Sequence, residues 1–343
     1  MINNFINKIQ NEFGIHLILS QEPLQGKNTY DIDESGNVKN LVLKNFKLKN
    51  LEAILPVAIS LKELSIERCK LENLELLKFF SGLSKLTLNY NPFPSKDIEN
   101  VKFLENLKCL ELRGTNIEDT RVLQDLQHLE ILDISGADHL FEVRGLEKLD
   151  SLKHLELEFN QIDRIEKISA HENLKSLNLR SGEIHHISGL DKFPNLTSLD
   201  LSSNPIAKIE ELDQLKQLEN LNISTTWVTK IEGLNQLIFL ETLNLHNQEI
   251  QKIEGLDYLI NLKRLNLSEN KIQRVENLDN LTNLEYLLLE CNEIREFDSV
   301  FLKNLHSPCT VSLVGNPIKE INGHVPDYVK IQFEDPNWTP KSL

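Results

Sequence analysis

One phrase recurs along most of this chain at a spacing close to 22 residues: L-x-x-L-x-L-x-x-N-x-I-x-x-I-x-x-L. It reads LKHLELEFNQI at 152–162, LTSLDLSSNPI at 196–206, LKRLNLSENKI at 262–272 and LEYLLLECNEI at 284–294. A fixed period of this length confines the chain to a stack of near-identical turns, each resting mainly on its neighbours. Such a stack offers a long open surface in place of a closed pocket.

Extended in both directions, the phrase gives thirteen turns. They begin at Val38, Leu61, Leu83, Leu107, Leu129, Leu152, Leu174, Leu196, Leu218, Leu240, Leu262, Leu284 and Pro308. One or two extra residues follow Val38, Leu83, Leu129 and Leu284, and these should bulge in loops such as ADHLFEV (137–143). Each L-x-L pair, Leu155 and Leu157 for example, predicts a short strand with both leucines facing inward. Strands about 4.8 Å apart, paired in parallel, would make an arc of roughly 60 Å. The Asn after each strand (Asn91, Asn160, Asn204, Asn270, Asn292, Asn316) has to turn the chain inward and bond backbone groups there. Cys69, Thr115, Thr226 and Gln248 take its place elsewhere. Gly145, Gly189, Gly233 and Gly255 mark a tight bend on the returning side.

A turn of this kind cannot bury its own apolar faces, so the ends need covers. The expected division is an N-terminal cap at 1–37, repeats at 38–318 and a C-terminal cap at 319–343. Ile2, Phe5, Ile6, Ile9 and Phe13 fall at helical spacing, and a hairpin is expected around Gly36. Residues 328–333 alternate like an edge strand among Pro326, Pro336 and Pro340, with Trp338 shielding the last core layer.

The net charge of −15 argues against nucleic acid or an anionic lipid surface as partner. No run of 18 apolar residues is present and the first twenty residues lack a signal-peptide pattern, so no membrane span is expected. Four cysteines without paired spacing (Cys69, Cys109, Cys291, Cys309) point to a reducing, cytoplasmic setting.

The run from Thr229 to Ile294, with its repeated I-x-x-I-E-G-L-x-x-L, resembles the 22-residue leucine-rich-repeat subclass typified by the regulatory subunit of protein phosphatase-1. Bacterial internalins share this repeat class. The resemblance covers about 38–318. It implies an α/β leucine-rich-repeat solenoid, a horseshoe with a concave parallel sheet and short or 3-10 helical segments on the convex side. It also implies a non-enzymatic scaffold, regulatory in the phosphatase case, gripping a protein partner through acidic and aromatic side chains. An exported recognition protein, or the recognition part of a larger signalling complex, stands as the alternative.

Strand alternation locates the residues on the open face. The central column reads Val42, Ser65, Thr87, Glu111, Asp133, Glu156, Asn178, Asp200, Asn222, Asn244, Asn266, Leu288, Ser312. Glu111, Asp133 and Glu156 therefore stand side by side. At about 5 Å such carboxylates repel by roughly 1 kcal/mol in water and about 3 kcal/mol at an effective dielectric of 20. His154 and Glu158 flank them, with Arg113 beside Glu111 and Arg180 beside Glu158. A site for a basic partner is expected here, against the alternative of a solvated face with local ion pairs. Tyr90, Phe159, Trp227 and Tyr286 add aromatic anchors, unless they pack on neighbouring strands. The run of Asn residues in the column reads best as a hydrogen-bonded ladder. The candidate partner-binding residues are thus Glu111, Arg113, Asp133, His154, Glu156, Glu158, Phe159, Arg180, Asp200, Trp227 and Tyr286.

Catalysis finds no support. The glycine-rich phosphate loop, H-E-x-x-H and G-x-S-x-G patterns are missing. His185 and His186 lack further ligands at metal spacing. Neither a metal nor a cofactor is expected, and an open sheet cannot exclude water around paired carboxylates.

Overall fold

The computed structural model describes residues 2–333 of the 343. They form two compact units. One runs to Gln161 and takes in Lys167–Asn173; the other comprises Ile162–Glu166 and the chain from Leu174 on. Trp338, Pro336 and Pro340, expected around the last core layer, lie outside the described residues.

The first unit opens with helix α1 (Ile2–Phe13), which buries Phe5, Ile6 and Ile9. The Phe13 ring meets Phe46 at 5.1 Å, so the helix is tied to the first turn. Strands β1 (Leu17–Leu19), β2 (Asn28–Ile32) and β3 (Val38–Lys44) follow. β2 and β3 pair antiparallel through a turn in which Gly36 has a φ of 79°, and β1 adds parallel to β2. From β3 every pairing is parallel, one turn to the next: β4 (Glu63–Glu67), β5 (Lys85–Thr87), β6 (Cys109–Glu111), β7 (Ile131–Asp133) and β8 (His154–Glu156). The inserted residues at 137–143 leave the β7–β8 register intact and bury Leu140 and Val143.

The second unit repeats the parallel pattern. Its strands are β9 (Ser176–Asn178), β10 (Ser198–Asp200), β11 (Asn220–Asn222), β12 (Thr242–Asn244), β13 (Arg264–Asn266) and β14 (Tyr286–Leu288). Next comes β15 (Glu296–Asp298), which leaves the stack to pair with β17 (Glu320–Asn322) in a two-stranded sheet that the repeat pattern did not foretell. β16 (Cys309–Ser312) pairs with β14 and with β18 (Val329–Gln332). Both units are therefore leucine-rich-repeat solenoids built on parallel strands. Returning segments are 3-10 turns such as Glu75–Phe79 and Leu190–Lys192, or plain turns.

The core is an aliphatic stack. Leu64, Leu86, Leu110, Leu132 and Leu155 are at most 2% exposed on successive strands, and Leu177 to Leu287 repeat this in the second unit. The buried Asn makes each turn possible. Asn91 donates from Nδ2 to the carbonyls of Ile66 (2.8 Å) and Leu88 (3.0 Å), while its Oδ1 accepts from the amides of Cys69 and Leu71, both at 3.1 Å. Asn204, Asn270 and Asn292 repeat the arrangement. Just before this position the backbone turns left-handed, at Tyr90 (φ 56°), Phe159 (58°), Ser203 (56°) and Glu269 (55°) among others. That conformation costs a non-glycine residue about 1–2 kcal/mol. The amide bonds to the turn offset it.

Candidate protein-binding face

In the first unit the buried leucines of β4 to β8 force their neighbours onto the open face. Register pairs Val42 with Ser65, Ser65 with Thr87, Thr87 with Glu111, Glu111 with Asp133 and Asp133 with Glu156. The three acidic residues do stand on adjacent strands. A groove of about 520 Å³ lies over them, with Tyr90, Arg113 and Ile131 in its wall.

Their roles differ, and this revises the picture of three equivalent carboxylates. Asp133 is 4% exposed and its Oδ1 accepts from the Ser135 amide (3.1 Å) and hydroxyl (2.8 Å). Arg113, expected to balance Glu111, reaches the following strands instead. Its Nε donates to Asp133 and its Nη1 lies 3.4 Å from Glu158. Glu111 is matched by Lys85, at 2.7 Å on the preceding strand. Much of the expected repulsion is therefore offset locally. Glu111, Asp133, Glu156 and Glu158 still outnumber Lys85 and Arg113, four carboxylates to two cations.

Burial pushes the Glu111 carboxyl up, but the Lys85 ammonium and bonds from Thr87 and Asn89 outweigh it and hold the group below its ordinary value. Burial likewise pulls the Lys85 ammonium down, and Glu111 more than reverses this. The signs agree. The pair stabilises the fold above the unfolded carboxyl value of about 4.3 and below the unfolded ammonium value of about 10.4. The contribution disappears as pH falls through the depressed Glu111 value or rises through the raised Lys85 value. We expect Glu111→Gln to lower the urea midpoint near neutrality, with the gap to wild type closing as pH falls through the depressed Glu111 value. A gap unchanged across that range would contradict the assignment.

The Cys109 thiol lies beside this pair. Burial pushes it up to about 11 against the opposing pull of Lys85, with Glu111 and Asp133 raising it further. It is protonated at neutral pH and unsuited to nucleophilic work.

The two aromatic side chains expected as anchors in this unit sit at left-handed positions just past a strand, Tyr90 being 47% and Phe159 56% exposed. Tyr90 is held by its neighbours. The Arg68 guanidinium lies 4.1 Å from its ring centre on one side, and Gly114 leaves room for the ring on the other. His154 is exposed on β8, in register with Ile131.

The remaining candidates, Arg180, Asp200, Trp227 and Tyr286, belong to the second unit. Asp200 is engaged by the Ser202 amide (2.8 Å) and hydroxyl (2.6 Å) and by Asn222 Nδ2 (2.8 Å). Tyr286 lies 4.4 Å under Arg264, the packing on a neighbouring strand that was the alternative to an anchor role. Trp227 is 63% exposed, with His185 edge-on at 6.1 Å. His186 has Glu210 at 3.8 Å, an acidic neighbour that the linear spacing hid. The Asn column combines a rung across strands, Asn222 Nδ2 to Asp200, with bonds inside each turn. Oδ1 of Asn222, Asn244 and Asn266 each accepts from the amide two residues on, so these oxygens cap their own turns.

Lys85 and Arg68 were missed by the sequence reading. Lys85 lies in a column flanking the central one, where the alternation that located Glu111 could have found it, whereas Arg68 follows β4 at a left-handed turn position (φ 53°), one period before Tyr90, which alternation does not reach. Among the described residues no cluster of His, Cys, Asp and Glu is arranged to hold a metal ion, and no helix is long and apolar enough to cross a membrane.

Known proteins agree with the fold. The family model for leucine-rich repeats in two copies matches residues 194–236 and 260–304, and that for the leucine-rich repeat matches 150–206. A curated relative, the disease resistance protein UNI of Arabidopsis thaliana, is 33% identical over 100 residues, 28% of this chain but 11% of that protein. The crystal structure of an internalin (InlF) from Listeria monocytogenes matches with a TM-score of 0.69 at 24% identity, covering 82% of each chain. The structure of the Drosophila Toll–Spatzle complex matches at 0.61 and 17%, covering 87% of this chain and 52% of the other.

Proposed function

We propose that this leucine-rich-repeat chain is a non-enzymatic scaffold that receives a basic segment of a folded partner protein on the sheet face of its first unit. The reading rests on one observation above others. Register-matched strands carry an excess of carboxylates, with Glu156 and Glu158 at its far end and the exposed rings of Tyr90 and Phe159 in the same unit. Exposed aromatic and arginine side chains are the usual anchors of interfaces, and the charge excess steers an oppositely charged partner. A solved relative in fold, Toll, is itself recorded in complex with another protein.

A phosphatase catalytic subunit is the first partner to try, because the 229–294 run resembles the phosphatase-regulator repeat class. The four free cysteines support a cytoplasmic setting; fractionation of cells with an antibody to the chain tests that part separately.

The direct test is affinity capture with wild type, a Glu156→Lys/Glu158→Lys variant and a Glu99→Lys/Glu105→Lys control. Asp133 is left alone because its carboxylate holds the β7 turn. One protein retained by wild type and control, lost from the Glu156/Glu158 variant and weakened by added salt is the expected result. Equal retention by all three would overturn the site.

A further inference from the structure

The rim where the strands begin carries apolar residues in both units, set among charges of opposite sign. In the second unit Ile238, Phe239, Tyr258 and Ile260 are exposed on two successive turns. The Ile238 carbonyl accepts from Asn261 Nδ2 at 2.7 Å, which sets Ile260 beside it. Apolar residues exposed singly are ordinary, whereas a contiguous patch marks a surface that another molecule covers.

The columns bordering this patch are acidic. Asp213, Asp257 and Asp279 run along one side and Glu219, Glu241 and Glu285 along the other, against Lys216 and Lys263. Backbone bonds from Glu241 to Glu219, Lys263 to Glu241 and Glu285 to Lys263 hold the second column together. The bond from Glu241 lifts the Lys263 ammonium above its ordinary value, and the charges of Glu241, Glu285 and Glu219 add to this.

The same rim of the first unit has the reverse charge. Ile59, 87% exposed, holds the repeat position of Ile238 and Ile260, while exposed Phe79 and Phe103 hold that of Tyr258. The Lys78 ammonium lies 5.3 Å from the Phe79 ring centre, and Lys102 lies 5.5 Å from that of Phe103. Lys62 and Lys108 stand in the column that is acidic in the second unit, Lys108 with Glu130 at 3.1 Å. Glu105 is the carboxylate among these positions.

We propose that a second copy of this chain covers both patches, the Lys–Phe rim of one copy's first unit docking on the acidic rim of another copy's second unit. Each patch supplies apolar side chains to bury and the charge that the other lacks. Pairing like patches would set like charges against each other, which suppresses that alternative. The net charge of −15 opposes approach at long range, but salt screens it beyond about 8 Å and leaves the local match to decide. Because unlike patches meet, the contact is either made twice in a two-fold dimer or passed from copy to copy. None of these residues belongs to the sheet face proposed for a partner protein, and either reading can fail alone.

Sedimentation velocity of the whole chain from about 1 to about 100 μM tests the proposal. The wild-type sedimentation coefficient should rise with concentration, and added salt should weaken the rise. Lys78→Glu/Lys102→Glu and Asp257→Lys/Asp279→Lys should each weaken association roughly tenfold or more. Mixed in equal amounts, the two variants should associate again, since the reversed rim of one fits the reversed rim of the other. Misfolded variants would not recover on mixing. Ile238→Ser/Ile260→Ser should weaken association to a similar degree with every charge in place. A wild-type chain that stays monomeric throughout would overturn the proposal and leave the patches to a different partner. Charge-reversed variants that associate like wild type, or folded variants that fail to associate when mixed, would overturn it as well.

Discussion

Asn91→Ala is expected to destabilise the first unit by about 3–5 kcal/mol, a severe effect for one side chain. The cause is loss of bonding rather than loss of volume. Asn91 Oδ1 is the acceptor for two buried amides, Cys69 and Leu71, and its Nδ2 serves the carbonyls of Ile66 and Leu88. With alanine no group replaces it, and each buried donor left unpaired costs about 1–3 kcal/mol. Three of those four partners lie 20 to 25 residues earlier, so the damage falls on the preceding turn as well as its own. Natural replacements avoid it by keeping hydrogen-bonding groups: Thr226 Oγ1 donates to the Ile223 carbonyl and Gln248 Nε2 reaches the same oxygen. Urea unfolding followed by circular dichroism gives the check. An Asn91→Ala midpoint indistinguishable from wild type would mean that the turn finds its bonds elsewhere.

Gly255 should tolerate asparagine and reject valine. Its φ is +68°, and a Cβ there would stand 2.5 Å from the Ile231 carbonyl oxygen. A β-branched side chain meets both the left-handed backbone penalty and that contact, and we expect Gly255→Val to cost about 3 kcal/mol or more. One period later the same place is held by Asn277 at a φ of 60°, whose Nδ2 donates to the Ile253 carbonyl at 2.7 Å. Asparagine thus turns the close approach into a hydrogen bond, and Gly255→Asn should stay within about 1 kcal/mol of wild type. Equal thermal midpoints for the two variants would refute this account of the bend.

Residues legible in the sequence share one property: their placement follows from a local rule repeated along the chain. Period-2 alternation put Glu111, Asp133 and Glu156 in one column before any coordinate was known, and the register bears this out. The Asn position was legible because a polar residue amid leucines needs a buried role. What stayed hidden was non-local or depended on rotamer. Long side chains choose between neighbours on either adjacent strand, so Arg113 went to Asp133 and Glu158 instead of Glu111. The division of the candidate list between two units was likewise invisible in a uniform repeat.

Composition and periodicity alone determined that this chain stacks parallel strands on an aliphatic core, because each turn's apolar pattern can be buried only against a copy of itself. They determined which residues face outward, since alternation along a strand admits one choice of face once the leucines are inside. Tertiary structure decided which of those outward residues remain available. It withdrew Asp133 and Asp200 into their own turns, matched Glu111 with Lys85, and brought the β1–β2 arm beside Asn40. Those outcomes come from distances between different turns and from competition among donors for each carboxylate, and neither is written in a repeat read one turn at a time.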